Sequence, residues 1–98
     1  MEIRDYIKQN WDRIVSEWSS LIEIPSISAE MEHKPDMTKC AQRWCELLVA
    51  AGADKAIPME SDGNPIVYGE KKVGEGLPTV LVYSHYDVMP VAPLEVWK

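Results

Sequence analysis

The run Thr79–Ser84, TVLVYS, constrains this 98-residue chain more than any other stretch. Val80, Leu81, Val82 and Tyr83 follow one another without a polar break, the pattern of a strand covered on both faces. The run therefore reads as the central strand of a sheet flanked by helices. It stops abruptly at His85-Tyr-Asp87, and Pro90 then forbids further regular pairing. Ligands in open α/β sheets bind outside the carboxyl ends of strands, so His85 and Asp87 stand where a site belongs.

The residues before the run supply the covering layers. Ile3, Ile7, Trp11, Ile14, Trp18, Leu21 and Ile22 recur at steps of three and four, which predicts one amphipathic helix over residues 2–23, ended by Pro25, with Trp11 and Trp18 in the core. Pro25 to Pro35 lacks a period and reads as a loop, with His33 a solvated side chain. A second helix follows, capped by Asp36, with Met37, Ala41, Trp44, Leu48 and Ala51 as its stripe and Gly52 as its left-handed stop. Ala56–Met59 and Ile66–Tyr68 read as short strands around the turn Ser61–Pro65, and Lys71–Pro78 as a further turn. The expected class is α/β, with two amino-terminal helices packed on a mixed sheet.

Bulk properties narrow the function. A chain this short removes only roughly 60 to 65% of its unfolded surface from water, so its core is modest. With 46% hydrophobic and 27% charged residues it reads as globular. A net charge of −6 argues against a nucleic-acid partner, which would need clustered Lys and Arg. No apolar run reaches the 18 or so residues of a membrane span, and the opening MEIRDYIKQN has no signal-peptide core, so no membrane partner and a cytoplasmic location are expected. Cys40 and Cys45 point in different directions on a helix, lack Cys-x-x-Cys spacing, and read as core residues.

His85 and Asp87 carry the chemistry. A metal-bound histidine uses one ring nitrogen on the ion and donates the other N–H to a carboxylate or carbonyl that fixes its tautomer. Residues two apart in extended chain project to the same side, so Asp87 can reach His85. Ser84 is small enough for close backbone approach, and Pro90 and Pro93 stiffen the following loop. These residues admit two readings: a ligand with its orienting partner, or a capped strand end with a hydrogen-bonded histidine.

The stretch VLVYSHYDVMPVAPLEVW resembles the first metal-binding segment of the M20 metallopeptidases, and most closely their dipeptidase branch related to carnosinase. That segment has an apolar strand, a small residue, His-x-Asp-Val-x-Pro, and a loop with Pro and Trp. The upstream order is similar too: a long first helix, Ile24-Pro-Ser-Ile-Ser28, and a helix ending in Ala-Gly. Ser84 departs from the more usual glycine.

The resemblance implies that residues 1–98 form the amino-terminal part of a larger zinc-peptidase-like catalytic domain, with His85 a zinc ligand and Asp87 the catalytic-site carboxylate that clamps its imidazole. It implies two zinc ions, or other divalent metals, per complete site. It also implies hydrolysis of dipeptides or N-acyl amino acids by a metal-activated water, and leaves a homodimer open to the full-length enzyme. The bridging aspartate, the general-base glutamate and the other ligands do not occur in these residues. With two histidines in total, the chain alone is expected to be inactive. The rival expectation is a non-catalytic α/β binding or assembly module, in which His85 and Asp87 only close a strand.

Overall fold

The computed structural model describes residues 1–92 and 94–97. Pro93, expected to stiffen the loop after the site, lies outside them. The order is α1 (Ile3–Gln9), α2 (Trp11–Ile22), a 3-10 turn (Met31–His33), α3 (Lys34–Ala50), β1 (Lys55–Met59), β2 (Ile66–Glu70) and a second 3-10 turn (Leu94–Val96). The class is mixed α and β, as the sequence indicates.

The expected single helix over 2–23 is two helices, broken at Asn10. Its side-chain amide and its backbone N–H both donate to the Tyr6 carbonyl, at 2.9 and 3.0 Å. An asparagine that satisfies the preceding turn from its own side chain competes with the helical ladder, and here its backbone leaves helical values, at φ −109° and ψ 14°. The helical period survives the break, but its apolar face is not core. Trp11 and Trp18 are 56% and 62% exposed, because α2 meets α3 through a polar contact, Arg43 Nε donating to Ser20 Oγ at 3.1 Å, and no described element covers the tryptophan face.

α3 is the organising element. It starts earlier than expected, at Lys34, with Pro35 in its first turn, where a missing N–H costs nothing. Asp36 is therefore inside the first turn instead of capping it. Met37, Cys40, Ala41 and Cys45, on one face at helical spacing, form the buried core with Ile24 and Ser26 from the segment after α2. Both cysteines are buried and free, as expected of core residues. At the other end, Gly52 at φ +109° allows the Ala53 N–H to reach the Leu48 carbonyl (2.9 Å) and its own N–H to reach that of Val49 (3.0 Å), the paired bonds of a Schellman stop.

β1 and β2 form an antiparallel pair in the register Lys55↔Glu70 to Met59↔Ile66. Gly69 permits close packing on α3, since a Cβ there would come to 3.1 Å from Leu48 Cδ1.

The expected third strand is not formed. Thr79–Ser84 has no regular structure, and Val80–Tyr83 are 82 to 92% exposed. Apolar character gives a segment reason to be buried but does not supply a ladder. Among the described residues β1 and β2 pair with each other, and their sheet is two-stranded and antiparallel rather than mixed. Among the described residues no helix is long and apolar enough to cross a membrane.

Candidate functional site

The site is built by two segments about sixty residues apart in sequence, Ile24–Ser28 and His85–Val88, which meet over the amino-terminal half of α3. Pro25 cannot extend α2, and the chain folds into two tight turns: Ser26 N–H donates to the Ile24 carbonyl (2.7 Å) and Ile27 N–H to that of Pro25 (2.8 Å). This turns Ser26 inward to zero exposure and leaves Ser28 at the surface.

Ser26 then grips the second segment twice. Its hydroxyl donates to the Tyr86 carbonyl at 3.0 Å, and its carbonyl accepts the Val88 N–H at 2.9 Å. Cys40 Sγ approaches the same Tyr86 oxygen at 3.8 Å, a weak second donor from α3. The Tyr86 hydroxyl donates to the Pro65 carbonyl at 2.5 Å, tying the turn to the hairpin loop, and burial pushes that phenol above its ordinary range. Tyr86 is thus held at both backbone and tip, and its neighbours His85 and Asp87 carry the polar surface.

His85 and Asp87 meet as the sequence suggests, although no strand delivers them. His85 Nδ1 lies 2.9 Å from Asp87 Oδ1, and the Ser28 hydroxyl donates to Asp87 Oδ2 at 2.6 Å. The Ser28 hydrogen bond first, and the His85 ring second, hold the Asp87 carboxyl below its ordinary range. An ionised carboxylate only accepts, so Nδ1 must donate to it, which leaves the lone pair of a neutral His85 ring on Nε2. The His85 side chain is 80% exposed and that of Asp87 40%, so Nε2 faces open solvent. Chemically, the arrangement presents a single oriented imidazole nitrogen. Beside it, His85 and Tyr86 form part of the wall of an open, mostly apolar groove of about 520 Å³ that also borders Trp44, Leu48, Val67 and Val80.

The Ser26, Ser28 and Tyr86 roles were not visible in the sequence, beyond the Pro-Ser-Ile-Ser step itself. The Ser84 hydroxyl donates to the adjacent His85 carbonyl, at 3.4 Å.

The other histidine is not a free solvated side chain. His33 Nδ1 lies 2.8 Å from Asp36 and Nε2 3.6 Å from Glu30, and the side chain is only a quarter exposed. The Asp36 hydrogen bond raises its pKa above the ordinary value. Donor atoms of Glu30, Glu32 and His33 lie within 4.8 Å of one another, but the ring nitrogens of His33 already face carboxylates at the start of α3.

No family model and no solved structure matches the chain. Two curated proteins are similar to it. A cysteinylglycine-S-conjugate dipeptidase from Corynebacterium striatum is 35% identical over 89 residues, covering 90% of this chain and 19% of that protein. The Cys-Gly metallodipeptidase dug1 of Schizosaccharomyces pombe is 27% identical over 110 aligned positions, covering 99% of this chain and 22% of that protein. The chain thus spans about a fifth of the length of the relatives it matches, and over nearly all of its own length it is similar to Cys-Gly dipeptidases, one of them named as a metalloenzyme.

Proposed function

We propose that this chain is the amino-terminal part of the catalytic domain of an M20-type, metal-dependent dipeptidase, and that His85 is one of its metal ligands. The observation that carries the reading is the chain of contacts from Ser28 through Asp87 to His85 Nδ1, at 2.6 and 2.9 Å, on a side chain that is otherwise largely exposed. The similarity to Cys-Gly dipeptidases supports it and makes a short peptide such as cysteinylglycine the expected substrate class, with N-acyl amino acids a related one.

The residues fit a zinc site in their donor chemistry. His85 offers the neutral imidazole nitrogen that zinc prefers, and Asp87, with both oxygens engaged, fits the partner that orients a ligand better than a ligand itself. A catalytic zinc takes about three protein ligands and a water, so His85 supplies one ligand and the remaining ligands and the base come from chain beyond these 98 residues. Zinc bound there would supply a water acidified to a pKa of about 7. The contribution of this chain is to hold the imidazole in one tautomer and one orientation before any metal arrives.

The test uses the whole protein that contains this chain. His85→Ala should abolish cysteinylglycine hydrolysis and lower bound zinc. Asp87→Asn should keep zinc at saturating concentration while activity falls by about 10- to 100-fold. The 98-residue chain alone should show no turnover. If both variants keep wild-type zinc and turnover, the turn is a packing device and the module reading takes over.

A further inference from the structure

We infer that Ser28 is a positioning residue: its hydroxyl fixes the Asp87 carboxylate, and through it the tautomer of His85. The inference rests on the metal-ligand reading of His85 for its purpose, though not for its geometry. Asp87 has one rotatable carboxylate and two obligations. Were its only partner the highly exposed His85 ring, water would compete for both oxygens and the carboxylate could swing away. The 2.6 Å bond from Ser28 to Oδ2 occupies the far oxygen and leaves Oδ1 aimed at Nδ1. Charge-assisted O–H···O⁻ bonds of this length are among the stronger side-chain contacts.

Ser28 itself is placed by the tight turns at Ser26 and Ile27, and Asp87 by the two Ser26–turn bonds. The hydroxyl and the carboxylate therefore arrive on separately anchored backbones. A surface serine with no such purpose would be free to hydrogen-bond its own turn. This one instead reaches across 59 residues of sequence.

The tautomer of His85 is directly observable in the 98-residue chain labelled with 15N-histidine, through the ring nitrogen shifts at a pH of about 9, well above the ordinary histidine range. The wild type should show Nδ1–H as the dominant form. Ser28→Ala should lose that dominance and move toward the Nε2–H form that a free imidazole favours, while Ser28→Thr, which keeps the hydroxyl, should restore it. The Val88 amide, bonded to the untouched Ser26 carbonyl, serves as a control in hydrogen exchange.

The inference is overturned if Ser28→Ala leaves the Nδ1–H population at the wild-type level, or if the Val88 amide loses protection along with the tautomer, since Ser28 would then merely hold the turn. Bound zinc in the whole protein separates the two claims. A tautomer that depends on Ser28, in a protein whose zinc content is unchanged by His85→Ala, keeps the positioning role and counts against the metal reading.

Discussion

Replacing Ser26 by alanine removes one oxygen from the most enclosed point of the site. In the native chain that oxygen donates to the Tyr86 carbonyl at 3.0 Å from a side chain with no exposure. The carbonyl would be left with Cys40 Sγ at 3.8 Å, a weak donor at long range. Stripping a fully buried acceptor of its partner costs about 1 to 3 kcal/mol, and this carbonyl is part-buried and keeps the thiol contact, which places Ser26→Ala in the lower part, about 1 to 2 kcal/mol. For a chain of this size that corresponds to a drop in Tm of roughly 4 to 16 °C. The backbone bond from Val88 N–H to the Ser26 carbonyl survives in principle, but its turn opens more often, so the Val88 amide should exchange about 5- to 30-fold faster. Circular dichroism melts and amide exchange followed by NMR read the two effects separately. Because Ser26 and Cys40 converge on one oxygen, adding Cys40→Ala to Ser26→Ala should cost more than the sum of the single changes. Unchanged melting and unchanged Val88 exchange in Ser26→Ala would refute the claim that this hydroxyl holds the turn.

Two further outcomes follow from the elements around the site. Gly52→Ala should destabilise the chain by about 1 to 2 kcal/mol in denaturant titrations, entirely through the backbone, because φ is +109° and a Cβ would meet nothing within 4 Å. The His33 pairing with Asp36 should give pH-dependent protection at the start of α3. Its folded pKa is raised, so the stabilisation is complete below the unfolded value of about 6.5 and fades as pH rises through the folded value. Amide exchange of the first turn of α3 should show this loss, and His33→Gln should abolish the dependence.

What could be read in the sequence follows a physical division between local and distant causes. α3 and its stop at Gly52 depend on an apolar stripe and one left-handed residue, both written within a few turns of chain. The β1–β2 hairpin is equally local, set by short apolar runs around a turn. The His85–Asp87 contact was legible because it spans two residues. Thr79–Ser84 was misread as a formed strand, since apolar content reports a preference for burial while a strand also needs a partner edge. Trp11 and Trp18 show the same gap: their spacing identifies a face but not what lies opposite. Asn10 was a missed local signal, a side chain able to compete with the helix it sits in. Ser26 and Ser28 were unreadable for a different reason, because their partners lie about sixty residues further along.

That separation has a consequence for the order in which the molecule assembles. Joining Ser26 to Tyr86 closes a loop of 60 residues, and the length-dependent part of that closure alone amounts to about 3.6 kcal/mol at room temperature. The helices and the hairpin gain their contacts over short loops and can form before this closure is made. The clamp around His85 is then the last structure to be gained on folding, and the imidazole takes its fixed orientation only once α3 and the hairpin already stand.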